Sequence, residues 1–122
     1  ANGALKQTQS IQADSVGARG SADIHMSPDG QFLYASNRLQ ADGIAIFRVD
    51  AASGQLTHTG YQNTAAHPRN FAITPNGKFL LVACRDADCI EIYERNADTG
   101  LLTSTGKRIE MPRPVVVQMV KQ

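Results

Sequence analysis

Ser27-Pro28-Asp29-Gly30-Gln31-Phe32-Leu33-Tyr34-Ala35 returns 47 positions later as Thr74-Pro75-Asn76-Gly77-Lys78-Phe79-Leu80-Leu81-Val82. The correspondence then continues in order along the chain. Gly43-Ile44-Ala45-Ile46-Phe47 is answered by Cys89-Ile90-Glu91-Ile92-Tyr93, and Ser53-Gly54-Gln55-Leu56-Thr57 by Thr99-Gly100-Leu101-Leu102-Thr103, both at a shift of 46. Partial copies flank the two complete ones: Asn2–Thr8 mirrors Ser53–Thr59, and Pro112-Arg113 echoes Pro68-Arg69. Self-similarity at a fixed period of this size marks an architecture of stacked, similar units.

Each unit is made of short runs bounded by turn residues. In the first copy these are Ile24–Ser27, Phe32–Ser36, Ile44–Val49 and Leu56–Gln62. Pro-Asp-Gly at 28–30 and Asn-Gly at 76–77 predict tight hairpins, because proline presets φ and glycine accepts φ > 0. Asp50–Gly54 and Asn96–Gly100 predict longer hairpin loops closing on a left-handed glycine. No window shows a helical period, whereas alternation suits strands. The expected fold is therefore all-β, built of four-stranded antiparallel blades of a β-propeller. The chain divides into an outer strand at about 4–11, blades at about 22–62 and 69–109, and a final inner strand at about 113–120. Propellers close with roughly four to eight blades, so 122 residues are too few for a ring. Either further blades of a longer chain or additional copies of this one are expected to complete it, and the longer chain is the favoured reading.

Composition narrows the function classes. Twelve Lys+Arg against eleven Asp+Glu leave a net charge of +1, without the basic excess of a nucleic-acid binder. The longest apolar run, Phe79–Cys84, is far short of the ~18 residues of a membrane-spanning helix, and Ala1–Gln12 lacks the apolar core of a signal peptide. Cys84 and Cys89 flank a short hairpin and make no disulfide framework. Further ligands at metal-binding spacing are missing, so no metal site is expected. No serine stands in a nucleophile-elbow context, and no phosphate loop or dinucleotide fingerprint occurs.

Blade order locates the polar residues. With strands ordered from the axis outward, the starts of the innermost strands and the ends of the second strands share one face, here called upper. Arg19, Arg38, Arg69, Arg85 and Arg113 fall there, and guanidinium forks suit phosphate and carboxylate oxygens. Asp23, Asp42, Asp86, Asp88 and Glu110 lie on the same side, so surface ion pairing is the competing reading, favoured for Arg19 and Arg85. His25 is the most informative residue. It falls inside an axis-lining strand whose counterpart in the next unit has Ala72, and alternation puts Asp23 on its side of the strand. A histidine there can serve as general base toward water; the alternative is a buried histidine bonded to a neighbouring blade. Arg69, after Pro68, starts an inner strand, and Arg38 ends a second strand; salt bridging between blades is the competing reading for both, and the favoured one for Arg38. Asn70 and Asn37 are candidate polar channel residues. His67 is a loop residue that can rim a pocket, and His58 belongs to an outer surface strand.

The stretch Ser21-Ala22-Asp23-Ile24-His25-Met26-Ser27-Pro28-Asp29-Gly30-Gln31-Phe32-Leu33-Tyr34-Ala35-Ser36-Asn37-Arg38 resembles a late blade of the bacterial propeller-type 6-phosphogluconolactonases. His67-Pro68-Arg69-Asn70-Phe71-Ala72-Ile73-Thr74-Pro75 resembles the blade that follows, and Pro112–Met119 the family's final inner strand. The resemblance implies a seven-bladed ring roughly three times this length, of which this chain is the C-terminal part. It implies hydrolysis of 6-phospho-D-glucono-1,5-lactone to 6-phosphogluconate by activated water in the pentose phosphate pathway, without metal or organic cofactor. By the same resemblance His25 and Arg69 are the catalytic candidates, and Arg38, Asp23, Asn70 and His67 the substrate-binding ones. Either Arg38 or Arg69 would hold the phosphate or polarise the lactone carbonyl. The isolated segment is expected to bind weakly or to be inactive should a catalytic carboxylate lie in other blades. The expected partner is a phosphorylated sugar lactone, with no nucleic acid and no membrane. The expected compartment is the cytoplasm, or the periplasm if a signal peptide precedes the segment. Two alternatives stay open: a carboxy-muconate cyclase of the same superfamily, and a non-catalytic propeller presenting its rim to a protein or polymer.

Overall fold

The computed structural model describes residues 3–16 and 20–120, and its regular structure is strand apart from one 3-10 turn. Strands β1 (Ser21–Met26), β2 (Phe32–Asn37), β3 (Gly43–Val49) and β4 (Leu56–Asn63) form one antiparallel sheet in that order. Strands β5 (Pro68–Ile73), β6 (Phe79–Cys84), β7 (Cys89–Arg95) and β8 (Leu102–Glu110) form the second in the same order, with the 3-10 turn Arg85–Ala87 between β6 and β7. These are two propeller blades. Their burial explains the sequence: β3 is covered on both faces over Gly43–Phe47 and reads as a continuous apolar run. β8 buries only Leu102 and reads Thr-Ser-Thr-Gly-Lys-Arg.

The two copies repeat their backbone bonds as well as their residues. Ser27 N–H donates to Phe32 O at 2.8 Å, and Thr74 N–H to Phe79 O at 2.9 Å, closing the tight lower turns whose Gly30 and Gly77 sit at φ +73° and +72°. On the upper face Arg38 N–H donates to Gly20 O at 3.0 Å, as Arg85 N–H does to His67 O at 2.9 Å. This bond brings the end of a second strand to the start of its inner strand, and so fixes which residues share the rim.

The segments at 4–11 and 113–120 carry no ladder; each lies beside a blade through a side-chain amide. Gln9 Nε2 donates to Leu56 O at 2.8 Å while its Oε1 accepts Leu56 N–H at 2.7 Å, and Asn70 Oδ1 accepts Val117 N–H at 2.7 Å.

Between the blades the core is apolar, with Phe32, Tyr34, Ile44 and Ile46 of the first facing Phe71, Leu80 and Val82 of the second. One charge lies within it. Arg95, its side chain 2% exposed, donates Nε to Tyr34 Oη at 2.8 Å and Nη1 to Gly77 O at 3.0 Å, and pairs through Nη2 with Asp29 at 3.3 Å. Tyr34 Oη in turn donates to Gly100 O at 2.6 Å. A buried guanidinium persists where its donors are satisfied, and this one bolts the lower ends of both blades together.

Candidate active site

The inner strands β1 and β5 meet at the seam between blades, and both are bulged near the upper face. In β1 the pairing skips between Ser21↔Asn37 and Ile24↔Ala35; in β5 it skips between Pro68↔Cys84 and Asn70↔Ala83. A bulge releases a residue from the ladder and re-aims it. Asp23 and Arg69 are residues so released. The freed Asp23 N–H finds Ser36 Oγ at 3.0 Å.

Asp23 is the junction of the seam. Its Oδ2 accepts Asn70 Nδ2–H at 2.6 Å and Phe71 N–H at 3.2 Å, both from the next blade, and lies 2.9 Å from His25 Nε2. Because that oxygen is already an acceptor, His25 donates to it from Nε2, which leaves Nδ1 as the ring's basic nitrogen. The imidazole stands edge-on to Phe71, with centroids 5.0 Å apart, and its side chain is 46% exposed. Packing and a carboxylate thus set its orientation while one side stays open. It lines a hollow of about 320 Å³ together with Asn70, Phe71, Val117 and Met119.

Two arginines sit at the upper ends of their strands, Arg38 just past β2 and Arg69 in the bulge of β5, and their side chains are in different states. Arg38 donates Nε to Gly20 O at 3.1 Å and Nη1 to His67 Nε2 at 3.2 Å. Gly20 is required for that approach, since a Cβ there would lie 2.2 Å from Arg38 O. Arg69, exposed at the β5 bulge, makes no side-chain hydrogen bond or ion pair among the described residues.

The remaining sequence candidates separate clearly. His67 is buried, with Nε2 hydrogen-bonded to Arg38 and Nδ1 3.3 Å from Asp86 Oδ2 in an ion-pair contact. Asn70 spends its amide between Asp23 and Val117 N–H. Arg85 lies 3.9 Å from Asp86 in a surface pair, and Arg113 meets Asp88 through its backbone N–H. Arg19 lies outside the described residues. Asn37 is buried, and its Nδ2 has no hydrogen-bond partner among the described residues. His58 is on the outer strand β4 against Phe47, at 5.2 Å. Cys84 and Cys89 face each other across β6–β7 as buried free thiols; burial first, then the neighbouring Glu91, pushes the Cys84 thiol far above its usual range. No cluster of three or more His, Cys, Asp or Glu suited to a metal occurs among the described residues. No helix of the described residues is long and apolar enough to cross a membrane.

The sequence model of the family described as Lactonase, 7-bladed beta-propeller, matches residues 1–119. This chain belongs to that lactonase family. A 6-phosphogluconolactonase from Formosa agariphila is 48% identical over 99 residues, covering 80% of this chain and 26% of the relative. The crystal structure of a candidate 6-phosphogluconolactonase from Bacteroides fragilis superposes with a TM-score of 0.91 at 61% identity, over 94% of this chain and 32% of that one. A periplasmic gluconolactonase from Pseudomonas aeruginosa superposes with a TM-score of 0.92 at 32% identity, over 99% of this chain and 34% of that one. The lactonase segment described here therefore spans about a third of the length of the relatives it matches.

Three features of the site and seams are not legible in the sequence of this lactonase segment. The bulges leave no mark in a single sequence. Asp86 was read only as a surface partner for arginine. Arg95 was passed over, although it stands where the first copy has the apolar Val49, and that mismatch was the available signal.

Proposed function

We propose that this segment supplies two blades and part of the active site of a seven-bladed lactonase ring that hydrolyses 6-phospho-D-glucono-1,5-lactone to 6-phosphogluconate. Further blades, from a longer chain or from additional copies, complete the ring. The observation that carries the reading is the Asp23–His25 dyad on the axis-lining strand, with Nδ1 free and one side of the ring open.

In the proposed reaction, His25 Nδ1 takes a proton from water as the water oxygen bonds to the lactone carbonyl carbon. Negative charge develops on the carbonyl oxygen. The unpaired Arg69 guanidinium is the group suited to stabilise it, since a cation fixed in advance favours the transition state over the ground state. Collapse breaks the bond to the ring oxygen, and the imidazolium returns its proton to that leaving alkoxide. Asp23 holds the imidazole and faces the charge it acquires. Arg38, with Nη2 unpartnered among the described residues, is assigned to the substrate's phosphate.

The compartment consistent with a phosphorylated substrate is the cytoplasm. A second reading, an unphosphorylated lactone handled in the periplasm, is favoured by the likeness to the Pseudomonas aeruginosa enzyme. Hydrolysis of both lactones, followed above their spontaneous opening, separates the two. In the protein with its ring completed, His25→Ala is expected to lower kcat by about 10²-fold or more with the fold retained. An unchanged rate removes His25 from the mechanism, and a wild-type rate equal to spontaneous opening favours a non-catalytic propeller.

A further inference from the structure

His67 directly precedes β5, the inner strand of the second blade, at φ +62°, a left-handed conformation that a residue other than glycine adopts only when its surroundings enforce it. The backbone part of that enforcement belongs to the repeat. Asp42 Oδ1 accepts His67 N–H at 3.2 Å, just as Asp88 Oδ1 accepts the N–H of Arg113, whose φ is +45°. The side-chain part does not repeat. Arg38 and Arg85 occupy equivalent positions, each donating its backbone N–H to the start of its own inner strand. Only Arg38 reaches across the seam to a histidine.

The chain of bonds fixes the proton. Arginine has donors and no acceptor, so a ring nitrogen 3.2 Å from Arg38 Nη1 must be the unprotonated one. That nitrogen is Nε2, so the hydrogen sits on Nδ1, the nitrogen that lies 3.3 Å from Asp86 Oδ2. We infer that His67 is a positioning residue for Arg38, facing it as the neutral Nδ1–H tautomer with the Asp86 carboxylate close to the protonated nitrogen. The consequence is electrostatic. A carboxylate in the place of His67 would orient Arg38 and also neutralise it. A neutral imidazole orients the fork, together with Gly20 O, and leaves the guanidinium charge available to an anionic ligand. Asp86 stands one residue further out, and part of its charge is answered by Arg85 at 3.9 Å.

Protonating His67 would replace the acceptor at Nε2 by a donor and set a second positive charge against Arg38. The charged groups around the ring are Arg38 from the end of β2, Asp42 from the β2–β3 loop, and Arg85 and Asp86 from the 3-10 turn; Arg69 follows two positions along the chain. Acidification is therefore expected to weaken anion binding at Arg38.

The activity part of the test rests on the lactonase reading above, and the spectroscopic part does not. In the purified protein, His67→Leu is expected to raise KM for the phosphorylated lactone about tenfold with little change in kcat. His67→Gln, whose side-chain oxygen offers an acceptor near the place of Nε2, should restore KM to within about threefold of wild type. The wild-type KM should rise on acidification, and the part of the rise that His67 causes should be absent in His67→Gln. A folded His67→Leu with unaltered KM, or a His67→Gln no better than it, overturns the inference. Independently of substrate, the imidazole ¹⁵N shifts of the wild type, assigned by their loss in His67→Gln, must report Nδ1–H. Nε2–H overturns the inference even where His67→Leu fails to fold. If the wild type proves inactive even with its ring completed, the lactonase reading fails and the ¹⁵N shifts alone decide the tautomer.

Discussion

Arg95 allows a stability effect to be worked out bond by bond. Arg95→Ala removes the donors to Tyr34 Oη, Gly77 O and both Asp29 oxygens, and the guanidinium that lies 5.6 Å from the Phe32 ring centroid. Removing one member of a fully buried ion pair costs about 3–5 kcal/mol, mainly because the other charge is stranded. Asp29 is not stranded: it is 33% exposed and keeps the Ser27 hydroxyl at 2.5 Å and Gln31 N–H at 3.0 Å. Tyr34 keeps its bond to Gly100 O. What is lost is one partner of Gly77 O, a screened charge pair, and the packing of the arginine stem. Together these come to about 3 kcal/mol, or about two orders of magnitude in the folding equilibrium. Arg95→Met fills most of the space and should lose about half as much. Chemical denaturation with two probes that report coincident transitions gives the values. In a double-mutant cycle Arg95→Met and Asp29→Asn should couple by about 1 kcal/mol. A loss below about 1 kcal/mol for Arg95→Ala would mean that the blades are held by apolar packing alone, and the bolt would be refuted.

The same carboxylate sets an acid limit. The Ser27 hydroxyl is the largest influence lowering the Asp29 pKa, with Gln31 N–H and Arg95 adding to it against the opposing effect of burial. Asp29 therefore contributes stability above the unfolded carboxylate range near pH 4, and that contribution is lost as pH falls through the depressed native value; the urea midpoint should drop less between pH 5 and 2 in Asp29→Asn than in wild type. Gly54 and Gly100 share φ +75°, but a Cβ at Gly100 would lie 2.3 Å from the Phe32 ring and one at Gly54 would meet nothing within 4 Å. Gly54→Ala should cost about 1 kcal/mol and Gly100→Ala about 2 kcal/mol more; equal losses in thermal or urea unfolding would show that the ring simply moves aside.

What the sequence made legible follows from what a repeat preserves. Turn residues, strand order and the sharing of the upper rim recur in both copies, so Pro28-Asp29-Gly30 and Thr74-Pro75-Asn76-Gly77, together with Asp50–Gly54, Asn96–Gly100 and the apolar runs between them, place the eight strands. Alternation within β1 puts Asp23 and His25 on one side, and they stand 2.9 Å apart, but the bulge that frees Asp23 to face the next blade is not written in that alternation. The latches were illegible because they join positions that the repeat does not relate. Arg95 reaches Tyr34 across 61 positions, and Arg38 reaches His67 across 29. Nothing periodic leads from one member of these pairs to the other, and each depends on a seam angle that only the folded blades define.

The seam also suggests how a lactonase site can arise from a structural device. At the second seam Asn70 Oδ1 accepts Val117 N–H; at the first, Asp23 Oδ2 accepts Phe71 N–H. Asp23 and Asn70 are repeat equivalents, and both are clasps by which an inner strand holds the backbone of the next. Two differences set the first clasp apart. The acceptor is a carboxylate where the second copy has an amide, and His25 stands where the second copy has Ala72. An amide clasp beside an alanine has no basic nitrogen to offer water. A carboxylate clasp beside a histidine holds an imidazole by Nε2 and leaves Nδ1 to act. The proposed dyad is therefore an interblade fastening with one charge and one ring added, and its carboxylate serves the seam and the imidazole at once.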